Sequence, residues 1–141
     1  MSFKEWDAAI MVVSGLAVAI WVALGAASEP NLALAAVATK LLIAVGVSVV
    51  LNIIAHIVIA IIAGIFQREH PRDEPADERD RAVDLRAMRN GYISCSLGAL
   101  LSLVPLAMGA APQVGAYSLF AALIAAGIIY AGSRFIYYRL G

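Results

Sequence analysis

Charge is missing from most of this sequence. Residues 8–27, 41–66, 91–110 and 114–133 contain no Asp, Glu, Lys or Arg. Each run is at least as long as the roughly 20 residues that a helix needs to cross the hydrocarbon core of a bilayer. Only 14% of the residues are charged and 62% are hydrophobic, whereas soluble domains contain about 25% charged residues. The lack of charge therefore excludes an ordinary soluble domain.

Cysteine and net charge are scarce as well. A single cysteine, Cys95, excludes an intrachain disulfide and a metal cluster built from cysteines alone. Ten Lys and Arg residues balance ten Asp and Glu residues, which excludes the overall basic field that favours nucleic acid. The sequence has no HExxH, Walker or nucleophile-elbow motif. We expect no enzymatic activity, no cofactor and no nucleic-acid partner.

The four charge-free runs predict an all-α membrane protein with four transmembrane helices. Backbone polar groups must be paired within lipid, and the runs lack the strict alternation of a β-barrel strand. One domain should cover residues 1–141. We expect its helices at about 7–27, 32–67, 76–110 and 113–139, with a charged segment at 67–90 whose helix continues into the third span.

The positive charges predict the orientation. Nine of the ten Lys and Arg residues lie before the first run, between the second and third runs, or after the fourth, and Lys40 is the exception. Cytoplasmic loops of membrane proteins carry an excess of such residues. We therefore predict a multi-pass protein with both termini and the charged segment in the cytoplasm.

Small residues recur at four-residue spacing in the spans. The first run has a series from Gly15 to Ala27, and the fourth run has one from Ser118 through Ala122 to Ala126. The third run has two such series, which are Gly91, Cys95 and Ala99, and Ser94, Gly98 and Ser102. Because lipid is as apolar as leucine, close backbone approach is what holds membrane helices together. These faces predict tight contacts within the protein or between copies of a homo-oligomer. Pro105 predicts a kink in the third helix.

The second helix carries a polar face. Ser48, Asn52 and His56 are four residues apart and share one side of the helix. His56 lies ten residues before Phe66, about 15 Å along the helix, so we expect it near the bilayer midplane with no acid beside it. An ionisable group at that depth indicates function by default. The alternatives are a homo-oligomeric transporter or channel using Asn52 and His56, a haem-binding or electron-transfer subunit, and a neutral histidine that only holds helices together.

The segment 67–90 concentrates the charge. It holds thirteen of the twenty charged residues, and Ala82, Leu85, Met88 and Tyr92 form an apolar stripe at helical spacing. Three interpretations stay open: a solvated helix that pairs its own charges, a docking surface for a membrane or cytoplasmic protein, and a divalent-cation site. The residues that would form the cation site are His70, Asp73, Glu74 and Asp77, although they match no fixed ligand spacing.

The block Asp77-Glu78-Arg79-Asp80, followed by Asn90-Gly91-Tyr92 at the mouth of the third helix, resembles a group of small bacterial and archaeal inner-membrane proteins. These uncharacterised proteins are predicted to have four helices and a DERD-type motif before the third. The resemblance implies a location and a motif rather than a mechanism. We expect a non-enzymatic accessory or regulatory protein, embedded in the lipid bilayer, that binds a partner through residues 75–90. The residues assigned to this interaction are Asp77, Glu78, Arg79, Asp80, Arg86, Arg89 and Tyr92.

Overall fold

A computed structural model describes residues 3–29, 31–66 and 78–140. Their secondary structure consists of α1 (Phe3–Ser28), α2 (Leu34–Phe66), α3 (Glu78–Leu101), α4 (Leu103–Ala107) and α5 (Pro112–Leu140), without a strand in these ranges. Four spans are long and apolar enough to cross a membrane, and α3 together with α4 forms one of them. The predicted all-α architecture with four spanning helices is confirmed at this level.

A turn at Ser102 separates α3 from α4, close to the kink predicted from Pro105. Proline has no N–H to donate, and its ring crowds the carbonyl four residues earlier, which here belongs to Leu101. The regular helix therefore ends at Leu101. The chain leaves α4 through Gly109, whose φ of 83° is a conformation that glycine adopts without strain.

The last helix, α5, is the one against which the others pack. Both α1 and α3 lie along it, while α2 packs on α1 and makes a smaller contact with α5. Within the described ranges, no Cα of α3 comes within 8 Å of a Cα of α1 or α2. The arrangement is therefore open, because α3 rests on α5 alone and stands apart from the α1–α2 pair.

Small residues bring α3 and α5 together, and the predicted tight contact is here within the protein. A Cβ atom added at Gly98 would lie 2.6 Å from the Cβ of Ala122, and one added at Gly91 would lie 3.0 Å from the Cβ of Tyr130. Such distances leave no room for a larger residue on α3. Contact between the two backbones at this range is the main means of association available to helices in lipid.

The largest apolar cluster lies toward one end of the assembly. Its members are Val18, Val37, Leu41, Ala44 and Phe120. They lie toward the connections at 29–33 and 108–111, and we call this the loop end. At the opposite end, which we call the charged end, α1 and α3 begin and α2 and α5 finish. No residue of α2 from 45 to 62 is buried, so the second half of α2 lacks an apolar anchor.

We predict that Gly98→Ala destabilises the protein, whereas Gly46→Ala does not. The new methyl at residue 98 must displace one of two backbones, and overpacking of this kind costs about 1–3 kcal/mol. Gly46 has nothing within 4 Å of its added Cβ, so it is the matched control. Unfolding of the detergent-solubilised variants measures both. Equal stabilities would contradict the close contact of α3 with α5.

Candidate functional site

Four ionisable side chains, one from each long helix, meet toward the charged end. Asp7 of α1 contacts Nε2 of His56 on α2, and it accepts a hydrogen bond of 3.1 Å from Nη1 of Arg134 on α5. Nε of Arg134 in turn lies 2.9 Å from Oδ1 of Asp84 on α3. We call His56, Asp7, Arg134 and Asp84 the ion row. Through Arg134 of α5 it links α3 indirectly to the α1–α2 pair, which α3 does not contact.

The centre of the ion row is more buried than its ends. The side chains of Asp7 and Arg134 are 16% and 14% exposed, whereas those of His56 and Asp84 are each 45% exposed. A buried charge is tolerated when it is paired, and Arg134 has a carboxylate on either side. Although Arg134 Nε and Asp84 Oδ1 are close, they are not aligned for a hydrogen bond. The contact with α3 is therefore mainly Coulombic.

Aromatic rings of α5 also surround Arg134. Its guanidinium carbon lies 5.7 Å from the centre of the Tyr130 ring and 6.0 Å from that of Tyr138. Cations at this range are attracted to the face of an aromatic ring. Ion pairs on two sides and rings on α5 thus hold the guanidinium in one position between three helices.

The polar face predicted on α2 continues the ion row along the helix. Nδ1 of His56 lies 2.7 Å from the carbonyl oxygen of Asn52. The side chain of Asn52 accepts a hydrogen bond of 3.1 Å from Ser14 of α1 and donates one of 2.8 Å to the carbonyl of Ser48. Asn52 and His56 therefore share a site with α1, whereas Ser48 enters it only through its backbone.

The prediction that no acid lies beside His56 is wrong, because Asp7 contacts it. Asp7 immediately precedes the charge-free run 8–27, and its second partner, Arg134, immediately follows the run 114–133. His56 is thus level with the ends of these runs rather than with their middles. A depth counted from Phe66 is too great, because α2 continues for ten residues beyond His56. Phe66 therefore lies past the level at which the charge-free runs of α1 and α5 end.

Sequence reasoning did not single out Asp7, Asp84 or Arg134. A signal was available for two of them, because Asp7 and Arg134 flank charge-free runs on the same predicted side of the membrane. Opposite charges at the same level of neighbouring helices are expected to pair. Asp84 gave no such signal, since it is one of seven acids in the charged segment.

Part of the charged segment lies outside the described residues. This applies to Asp77 and to the other predicted cation ligands, His70, Asp73 and Glu74. Among the residues that the structure does describe, no group of three or more His, Cys, Asp or Glu side chains could hold a metal ion. Of the remaining motif residues, Glu78 and Arg79 are exposed and Asp80 is half-buried.

The two faces of α3 differ in character. The residues that are buried toward α5 are Val83, Ala87 and Gly91. The exposed residues, which we call the outer face of α3, include Leu85, Arg86, Met88, Arg89 and Tyr92. All four residues of the predicted apolar stripe are therefore exposed, and two of them, Met88 and Tyr92, line a groove between α3 and α5. Tyr92 is 73% exposed and Leu85 62% exposed.

Two apolar grooves lie on the surface of the described part of the chain. One, of about 390 Å³, runs between α3 and α5 and includes Cys95 and Tyr130 in its lining. The other, of about 280 Å³, runs between α1 and α5. Neither is lined by a residue of the ion row or by Asn52. The polar site thus opens at the surface of the protein and not into either groove.

Comparisons with protein-family models, with curated proteins and with solved structures gave no match. The resemblance carried by residues 77–92 therefore stays a prediction. The ion row and the outer face of α3 are the two features of the described residues that bear on the function.

We predict that Arg134→Met lowers the free energy of unfolding by about 3 kcal/mol, the typical cost of leaving buried charges unpaired. The substitution removes the guanidinium from both Asp84 and Asp7 and leaves Asp7 with His56 alone. Arg139→Met is the matched control, because Arg139 lies on the same helix but is exposed, and surface changes usually stay within about 0.5 kcal/mol. Denaturant titration in detergent measures both. Equal effects would show that Arg134 does not bridge the helices.

Proposed function

We propose that the chain is a non-enzymatic accessory or regulatory protein of the bacterial inner membrane and that it binds a protein partner through the outer face of α3. Both termini and this face would lie on the cytoplasmic side. The observation that supports the proposal is the mixed character of the outer face, where large apolar side chains and arginines occupy the same helical turns.

Neither water nor hydrocarbon suits this face along its whole length. Leu85 and Met88 are 62% and 58% exposed, which is unfavourable in water, while Arg86 and Arg89 are exposed on the same turns and are costly to place in hydrocarbon. A protein surface can offer an apolar groove together with acidic groups. Such helix-in-groove contacts are a common mode of recognition, and arginine and tyrosine are enriched among the residues that dominate binding.

The contrast with α2 strengthens this interpretation. The second helix also exposes many large aliphatic side chains, among them Val50, Ile54 and Ile61. Its run 41–66 contains no charged residue, so lipid alone is an adequate environment for it. On α3, Arg86 and Arg89 are exposed, and contact of these arginines with hydrocarbon would be unfavourable. We therefore assign the docking surface to this helix.

A photo-crosslinking amino acid at Leu85 should form an adduct with one protein in native membranes. Leu100, which is 65% exposed deeper on the same helix, is the matched control position and should give no such adduct. The Arg86→Glu/Arg89→Glu variant should lose the Leu85 adduct, because charge reversal repels an acidic partner surface. Arg139→Glu, which reverses a charge at the end of α5, should keep it. The proposal fails if the adduct survives reversal of Arg86 and Arg89, or if Leu85 captures lipid alone.

A second function is favoured by the continuity of polar contacts from Ser14 through Asn52 and His56 to Asp7. This continuity supports the alternative of a small transporter or channel. Because the polar site opens at the surface and neither groove includes it, the pathway would run between copies of a homo-oligomer.

Proton flux into proteoliposomes that contain a pH-sensitive dye tests this alternative. If the chain conducts protons, His56→Ala should abolish the flux because it removes the titratable group from the polar contacts. Thr39→Ala, at an exposed position near the loop end, should leave the flux unchanged. Absence of flux in the wild-type protein, or flux that persists in His56→Ala, rejects proton conduction through this site.

A further inference from the structure

Both ring nitrogens of His56 face acceptors. Nδ1 lies 2.7 Å from the carbonyl oxygen of Asn52, and Nε2 contacts a carboxylate oxygen of Asp7. A carbonyl and an ionised carboxylate can accept a hydrogen bond but cannot donate one. Two hydrogen bonds therefore require two hydrogens between the imidazole and the carboxyl group. This is one proton more than a neutral histidine and an ionised aspartate hold together.

The neighbouring charges agree with this proton count. The groups that face His56 within the described residues are Asp7 from α1 and, behind it, Arg134 from α5 and Asp84 from α3. The rings of Tyr130 and Tyr138 lie close to Arg134. With the extra proton, the two acids, the arginine and the histidine sum to zero charge. Without it, a partly buried site would carry a net negative charge, which is costly.

His56 lies in the less buried half of α2, so its protonation affects how this half is held. The first half of α2 is held by Val37, Leu41 and Ala44 and by the ion pair of Lys40 with Glu29. The second half has no buried residue between 45 and 62. In the described part of the chain, its side-chain hydrogen bonds to α1 are those of Asn52 with Ser14 and of His56 with Asp7.

We propose that His56 and Asp7 form a proton-binding site whose occupancy keeps the second half of α2 docked on α1. When the proton passes to solvent water through the exposed side of His56, the neutral imidazole keeps one hydrogen. If that hydrogen stays on Nδ1, a lone pair faces Asp7 and the bond between the helices is lost; if it stays on Nε2, the bond to Asp7 persists but without the charge of the imidazolium. In both cases the attraction between α1 and the second half of α2 weakens, so this half separates from α1 more readily while the first half stays in place. The inference rests neither on partner docking nor on transport.

Nitrogen NMR of labelled histidine measures the proton directly. The chain has two histidines, so the His70→Gln variant leaves His56 as the only labelled side chain. Between about pH 5 and 9, the range that brackets ordinary histidine titration, the spectrum should change from two protonated ring nitrogens to one. A ring that stays in either state across this whole range would overturn the proposal.

Distances between spin labels report the docking. A pair at Val13→Cys and Ile57→Cys, in a Cys95→Ser background, spans the contact between α1 and the second half of α2. Its distance should lengthen and broaden over the pH interval in which His56 loses its proton. The matched pair Leu24→Cys and Leu42→Cys, at exposed positions near the loop end, should not change. A constant distance for the first pair across that interval would overturn the proposal.

Two substitutions at His56 distinguish the effect of the bound proton from that of the imidazole side chain. His56→Lys should keep the Val13–Ile57 pair at its short distance to higher pH than the wild type, because an ammonium group retains its proton there. His56→Leu should show the long distance at every pH, since nothing on α2 then bonds to Asp7. If both variants follow the wild-type pH dependence, another group controls the separation and the proposal is wrong.

Discussion

The position of one guanidinium between two carboxylates is the constraint on which the arrangement of this protein depends. Arg134 lies on α5, the helix that all the others contact, and its partners come from α1 and α3. Without these partners it would be a mostly buried, unpaired charge, which is strongly unfavourable. Packing and charge support each other here. The small residues at Gly91 and Gly98 let α3 approach α5 closely, and that approach brings Asp84 within 2.9 Å of Arg134.

Features that depend on local sequence were predictable. The four spans follow from the length of the charge-free runs. The spacing of small residues predicts that the third and fourth spans have faces for close contact, but it does not say which helices meet. The polar face of α2 follows from the four-residue interval between Asn52 and His56. The ion row was not predicted, because it depends on which residues of different helices lie at the same level. The depth of a residue in the membrane cannot be obtained by counting residues from the end of α2, because this helix is longer than a bilayer is thick.

The apolar stripe on α3 illustrates a different difficulty. In a soluble protein, large apolar residues at helical spacing mark the face that packs against the core. In a membrane helix, small residues mark the contacts between helices, and large ones lie outside. On α3 the buried face consists of Val83, Ala87 and Gly91, while Leu85, Met88 and Tyr92 are exposed. One helix therefore combines a tightly packed inner face with an exposed outer face. Asp84, which contacts Arg134 of α5, belongs to the inner face.

The length of α2 has a mechanical consequence for the protein in its bilayer. Its charge-free run 41–66 has 26 residues and rises about 39 Å, whereas the hydrocarbon core measures about 30 Å. An apolar stretch with this mismatch is accommodated by tilting of the helix or by thickening of the surrounding lipid, and either adjustment costs free energy that depends on acyl-chain length. The unburied half of α2 offers the least resistance to tilting. A change in membrane thickness therefore changes the tilt of α2 relative to α1 and strains the few polar contacts between them. Acyl-chain length and stretching of the bilayer would both have this effect.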